Sequence, residues 1–482
     1  MMSTGHKPDI ANLLRTLKTH INKKTLLQPA KLQLLTSLKS RITSAADAAP
    51  FTENDIQVLC YYAFREDSED KHSESTVEVS HVALKCLANV LLLESKTRQY
   101  FVDLGYAHNA ARILNDSLED ELLGSRILFL LTYDTKFDFD TLFKDDDLAY
   151  KIHTNISSHA INYHSQPAET SSSSHPLPTL NANALTEALK LLFNLNQYYP
   201  SHTAIFSDTI KPILEILTHI ELEAQPLQPP VTQLINSLIS LNLPGKPDSE
   251  GHTPLFPKEY PNENHLRLIS ILDSAVRTLK EDQLETAVPL VTLIRRIYEL
   301  APAPIKSTLQ TKLLPSNSER AQPLGKTNSL ASYLLRLSTS PIAPNLREGI
   351  SSLLFELSNK DATTFVRNVG YGFAAGYLMT HSLPVPEGTM SNEGGEVEDP
   401  GEKMTKVDGQ EINPITGQRR DMEPEDILPE MTDEEKEREA EKLFVLFERL
   451  KATGVMNVVN PVEQAVREGR LEDRVEEVDD DD

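Results

Sequence analysis

The stretch "ALKCLAN" (Ala83–Asn89) decides the fold class, because it returns as "ALKLLFN" at Ala188–Asn194. Around it, "LLFNL" at Leu191 recurs as "LLFEL" at Leu353. "SLISLNL" (Ser237–Leu243) and "VTLIRRIYEL" (Val291–Leu300) share the same heavily apolar helical character. The spacing between copies is irregular, unlike the near-fixed period of tetratricopeptide or ankyrin arrays. Irregular apolar helices in series suit armadillo or HEAT units, where each unit covers its neighbour's apolar face. The expected fold is therefore all-α: an armadillo/HEAT-type repeat superhelix over residues 1–383. The alternative is one large helical domain in which the leucine similarity is fortuitous.

Composition bounds what such a chain does. Of 482 residues, 39% are hydrophobic, with no Trp and only two cysteines, Cys60 and Cys86. Two thiols make neither a disulfide framework nor a four-thiolate metal site, so a reducing compartment is expected. Residues 1–20 lack the apolar core of a signal peptide, and the apolar run Leu87–Leu93 is too short to cross a bilayer. A monomeric, cytoplasmic protein without membrane insertion is expected. The formal charge is −24, of which residues 391–482 carry about −17, leaving about −7 for the body. That balance argues against nucleic-acid binding, which needs a net basic face.

Polar stretches at 66–76, 164–178 and 243–264 read as loops between repeats. Beyond Leu383, Gly, Pro and acidic residues mark 384–430 as a linker. A single amphipathic helix is expected at 431–454: Thr432 and Glu435 form a capping box, and Leu443, Leu446, Phe447 and Leu450 share a face beside Phe444. The acidic end, 455–482, is expected to be disordered.

No catalytic constellation stands out. "GYGFAAG" (Gly370–Gly376) resembles a phosphate-binding loop only superficially, since a helical pattern precedes it; close helix packing explains its small residues better. His153, His159 and His164 match no zinc spacing and read as surface or helix-end residues. Ser171–Ser174 has no organised base. No covalent chemistry and no cofactor are expected.

What remains is binding. Asn89 and Asn194, equivalent in the two matching phrases, could hold a partner's main chain or could hydrogen-bond within the scaffold; the sequence leaves both open. Arg126, Arg295, Arg296 and Arg347 offer carboxylate-binding forks.

These residues resemble the synembryn family of non-receptor guanine-nucleotide exchange factors and chaperones for heterotrimeric G-protein alpha subunits. The similarity runs in order through "LKCLANVLL" (Leu84–Leu92), "SRILFLLT" (Ser125–Thr132), "ALKLLFNL" (Ala188–Leu195) and "LNLP" (Leu241–Pro244). It continues through "FVRNVGYGFAAGYL" (Phe365–Leu378), "INPITGQ" (Ile412–Gln418) and "MTDEEKEREAEKLFVLFERL" (Met431–Leu450). The resemblance implies a superhelix whose concave face takes the C-terminal helix of a GDP-bound alpha subunit, releases GDP and holds the nucleotide-free state until GTP binds. The helix beyond the repeats would pack on the body of the subunit. Carried onto this chain, Asn89, Arg126, Asn194 and Tyr371 become candidate contacts in the repeats, and Phe444 and Phe447 in the tail helix. Recruitment to the cell cortex through the partner is a further implication. Animal members carry a phosphorylated Ser/Thr-rich acidic stretch before the "INPITG" motif; here only Thr405, with Asp408 three residues on, approaches it. A generic helical adaptor for a linear peptide is the competing reading.

Overall fold

A computed structural model of the chain describes residues 9–423 apart from 25, 67–72, 166–178, 244, 246, 387–405 and 408, together with residues 438 and 442. Two compact units divide it, Met1–Asp421 and Met422–Asp482. Of the tail helix expected at 431–454 only Arg438 and Lys442 are described, both as helix; Phe444, Phe447 and the possible phosphosite Thr405 lie outside the described residues.

Helices are numbered in chain order. Eight of them form a ladder in which each touches the next: α2 (Gln28–Lys39), α5 (Glu74–Leu93), α8 (Leu118–Leu131), α11 (Thr179–Tyr198), α13 (Val231–Ser240), α15 (Val288–Leu300), α18 (Pro344–Leu357) and α20 (Tyr371–Thr380). A second ladder runs beside it through α10 (Leu148–His164), α12 (Ile210–His219), α14 (Glu263–Thr278) and α17 (Leu330–Leu337). Each second-ladder helix packs on the helix that follows it in the chain. The pairs α4 (Glu53–Ala63) with α5 and α19 (Ala362–Val369) with α20 repeat the arrangement. The others are α1 (Ile10–Lys23), α3 (Ala45–Ala48), α6 (Lys96–Asp103), α7 (Ala107–Arg112), α9 (Asp140–Asp145) and α16 (Ala303–Leu313).

The apolar phrases that signalled a repeat fall on the first ladder, from "ALKCLAN" in α5 to "LLFEL" in α18. The reason is physical. A helix wedged between two ladder neighbours and a second-ladder helix is apolar on three sides, which reads as a dense leucine block. In α5, Ala83, Leu84, Cys86, Leu87, Ala88, Val90 and Leu91 are all buried. The helix starts at Glu74, well before the apolar run, so it is long and apolar enough to cross a membrane, contrary to the reading of Leu87–Leu93 alone. Its apolar sides are instead covered by α2, α4 and α8.

Side chains close the helix ends. Thr52 and Asp55 form a capping box on α4, and Asp361 accepts from the Thr364 N–H at 2.6 Å to start α19. At the other ends, arginines from later helices take up carbonyls that lack intrahelical partners. Arg98 donates to the Leu91 carbonyl at 2.7 Å, Arg267 to Leu217 at 2.8 Å, and Arg296 to Leu241 at 3.2 Å and to Ile239. Arg296 is thus spent on the scaffold and is no fork for a partner. His159 is also internal: it is buried and faces the Glu121 carboxylate at 3.0 Å, so the surface reading fails there. His164 does end α10, as expected.

The stretch expected to be a linker is not uniform. Lys406–Val407 and Gln410–Glu411 form a short antiparallel hairpin, and Ile412 after it is fully buried. The N–H groups of Tyr371 and Gly372 donate to the carbonyls of Pro414 and Ile415 at 2.8 and 3.1 Å. Gly370 has φ +79°, and a Cβ there would meet the Ile415 oxygen at 2.9 Å. The glycines therefore admit this segment's backbone rather than a neighbouring helix, and Gly376 meets nothing within 4 Å.

Three elements meet at Asp120, in the first turn of α8. Its carboxylate is buried and bonded to Arg65 at 3.3 Å, to His81 of α5 at 3.1 Å, and to the capping Ser117 hydroxyl at 2.7 Å. Burial alone would raise its pKa, but hydrogen bonds from His81 and Ser117 and the charges of His81 and Arg65 outweigh it, and the net shift is downward. A depressed native pKa gives stability that is complete above the unfolded Asp range and is lost as pH falls through the native value. Asp120→Ala should cost about 3–5 kcal/mol at pH 7, because it strands buried partners. Urea unfolding of both proteins at pH 7 and near pH 3 checks this; a gap that does not shrink in acid would refute it.

Candidate partner-binding face

The first ladder leaves one side of its helices uncovered. Over the middle and end of α5 the accessible residues are Val82, Lys85, Asn89 and Leu92, with Leu93 at the very end. On α8 they are Leu122, Arg126 and Phe129, continued by Tyr133; on α11, Thr186, Lys190, Phe193 and Gln197. Each series alternates steps of three and four, the signature of a single stripe along a helix.

Side-chain contacts join the three stripes into one face. Lys85 reaches Glu119 of α8 at 2.5 Å. Glu187 of α11, itself buried, receives Arg126 at 2.6 Å and Lys190 at 2.8 Å, so two cations share one carboxylate. The Lys190 ammonium also sits 4.4 Å from the centroid of the Phe129 ring, a cation–π contact. Tyr133 and Tyr198 meet edge to face, with centroids 6.0 Å apart. The face thus combines aromatic rings, one surplus positive charge around Glu187 and accessible polar groups. A cavity lined by His164, Lys211, His219 and Tyr260 lies beside α10 and α12, on the second ladder instead.

The two candidate asparagines separate here. Asn89 is half-buried, and its amide has no side-chain hydrogen bond among the described residues. Asn194 is buried and donates to the Thr132 hydroxyl of the α8 terminus at 2.8 Å. It serves the scaffold, one of the two roles the sequence leaves open for it. Four residues after Lys85 comes accessible Asn89; four after Lys190 comes buried Asn194, because α11 shows Phe193 on its open side instead. Arg126 lies on the face but already holds Glu187. Tyr371 starts α20, with its ring half-buried against the core. Further along the ladder Arg295 is bound to Glu356 at 2.7 Å, while Arg347 stays exposed. Phe129, Tyr133, Lys190 and Phe193 were not singled out from sequence, because an outward phenylalanine inside an apolar block looks like one more core residue.

The chain is similar to known proteins over most of its length. The profile of a family described as guanine nucleotide exchange factor synembryn matches residues 34–470. A synembryn-like chaperone of Schizosaccharomyces pombe is 36% identical over 171 residues, 35% of this chain and 32% of that protein. Chaperone Ric-8A of Gallus gallus is 25% identical over 451 residues, 87% of this chain and 82% of its own. Chaperone Ric-8A of Xenopus tropicalis is 28% identical over 188 residues, 39% and 33% of the two chains. The first and third alignments span only about a third of those relatives.

The asparagines provide a direct check of the face. Asn194→Ala removes a buried hydrogen bond and should cost about 1 kcal/mol or more in stability. Asn89→Ala should stay within about 0.5 kcal/mol of the parent. Denaturant midpoints measured side by side test the pair, and equal losses would erase the distinction.

Proposed function

This chain belongs to the synembryn family of guanine nucleotide exchange factors, and from that premise we propose that it acts on a G-protein alpha subunit through the face of α5, α8 and α11. It loosens GDP from the loaded subunit, holds the empty one until GTP enters, and guards newly made subunits during folding. It does so by binding alone, as a monomer, in the cytoplasm, and reaches the cell cortex with its partner. The observation that carries this reading is the continuous accessible stripe on three neighbouring helices, with Asn89 unspent and Phe129, Phe193 and Lys190 presented together.

Such a face suits a helical peptide. Rings and aliphatic stems receive apolar anchors at three–four spacing, and an amide can meet main-chain groups at a helix end, where four carbonyls lack partners. Taking the partner's terminal helix away from its own core raises the free energy of the nucleotide-bound state. The grip must therefore bind the empty state more tightly than the loaded one. Linkage makes the effect reciprocal: a hundredfold loss of GDP affinity corresponds to about 2.7 kcal/mol and to a hundredfold preference for the empty subunit.

The test is nucleotide release from a GDP-loaded alpha subunit. Addition of this protein should accelerate release and leave a stable nucleotide-free complex. The double variant Asn89→Ala/Phe193→Ala should weaken that complex about tenfold to a hundredfold, as loss of central anchors does, without lowering the unfolding midpoint. Unchanged release on adding the parent protein would defeat the proposal. Unchanged affinity in the double variant would move the contact to another surface.

A further inference from the structure

His164 and His219, the last residues of α10 and α12, meet across the second ladder. In sequence His164 falls near His153 and His159, whose spacings match no zinc pattern; its partner comes instead from the next second-ladder helix, 55 residues on. The two rings stand at 73° with centroids 4.7 Å apart, and His164 Nδ1 lies 3.1 Å from His219 Nε2. The other nitrogen of His219, Nδ1, is 2.8 Å from the Glu215 carbonyl, which can only accept, so Nδ1 carries the proton. In the neutral ring, Nε2 then presents its lone pair to His164. Two nitrogens held about 2.0–2.1 Å from one tetrahedral zinc ion stand about 3.3–3.4 Å apart. The pair therefore needs to open by only a few tenths of an ångström to admit an ion.

We propose that His164 and His219 form a binding site for a divalent cation of the Zn2+, Ni2+ or Cu2+ class, clipped between neighbouring repeats. Imidazole nitrogen suits those ions, whereas Mg2+ and Ca2+ prefer oxygen. The surroundings favour a cation. Both histidines sit at helix C-termini, where unpaired carbonyls carry partial negative charge. The adjoining cavity, about 930 Å³, is lined by the carboxylates of Glu215, Asp248, Glu259 and Glu263 against the ammonium groups of Lys211 and Lys258. The carbonyl of Glu215 is the outer-shell partner that orients a metal-ligating imidazole. Among the described residues no three His, Cys, Asp or Glu side chains are placed to hold an ion together. The site is thus a two-point clip of modest affinity, with water in the remaining positions. Since α10 packs on α11 and α12 on α13, the ion joins the backs of two repeats, one of which carries Lys190 and Phe193. The inference is independent of the partner those residues meet.

The experiment titrates the metal-stripped full chain with Zn2+ and follows both binding and the unfolding midpoint. An ion that binds only the folded state stabilises it by mass action, so the midpoint should rise with Zn2+ and stay fixed with Mg2+. His164→Gln and His219→Gln should each lower Zn2+ affinity at least about tenfold, no less than the loss of an outer-shell partner does. Both side chains are exposed, so the metal-free midpoints should match the parent. The double variant Glu259→Gln/Glu263→Gln should keep nearly the parent's affinity. Zn2+ binding that survives both histidine variants would overturn the site and assign the ion to other groups of the chain. Failure of the parent to bind below millimolar Zn2+, or equal binding of Mg2+, would sink it as well. Spectroscopy on the parent covers the case of a variant that misfolds. Cu2+ bound to the parent should show two coupled nitrogens by electron paramagnetic resonance, and a signal without nitrogen coupling would refute the pairing.

Discussion

Burial of the inner first-ladder helices, α5 to α18, on three sides is the constraint from which the rest of the molecule follows. A fully buried leucine contributes about 1.5–3 kcal/mol relative to an exposed one, and cutting it to alanine costs about 2–5 kcal/mol. In α8, Leu123, Ile127, Leu128, Leu130 and Leu131 are all buried, so most of its surface is committed to packing. Only Leu122, Arg126 and Phe129 escape over its central turns. Residues off that stripe answer to the ladder, and on the proposed reading those on it answer to a partner.

The same constraint explains what the sequence made legible. Dense apolar phrases marked the first-ladder helices α5, α11, α13, α15 and α18, because three-sided burial leaves few polar positions. Second-ladder helices such as α10, with Tyr150 and Ile161 exposed beside buried Ile152 and Ile156, carry a mixed pattern that gave no such phrase. Helix existence was therefore readable, but rotation about the helix axis was not. Asn89 and Asn194 align letter for letter, yet one lies on the open side and the other reaches Thr132. Which residue faces out depends on where α8 sits against α11, and that is information from about 60 residues away in the chain. Distance in sequence hid the seating of the segment after the hairpin as well. "INPITGQ" has the Pro, Gly and polar content of a loop, and nothing local says that Arg320, nearly a hundred residues earlier, will bond to its Gly417 carbonyl.

Charge on the face is arranged for orientation more than for attraction. Arg126 and Lys190 converge on buried Glu187, which fixes two long side chains that would otherwise lose rotamer freedom on binding. Pre-ordering of this kind lowers the cost of association, since each immobilised flexible side chain costs about 0.5–1.5 kcal/mol. The buried carboxylate also cancels one of the two charges. A partner meets one surplus cation beside rings and an amide, not a strongly basic patch that would collect any acidic chain, including this protein's own acidic C-terminal end.

On the proposed reading, that arrangement suits a grip that must tell two states of one partner apart. Long-range attraction is nearly blind to conformation, because a charge several ångströms away feels the loaded and the empty subunit alike. Ring contacts and hydrogen bonds to main chain need the apolar and polar groups of a helix to be exposed at once, which a helix packed in its own domain does not offer. Discrimination between states would therefore have to come from short-range contacts, and aromatic rings, one amide and two tethered cations are groups able to make them. The proposed exchange step needs a weak hold on the loaded state as much as a strong hold on the empty one, for a face that held both states equally would shift nothing.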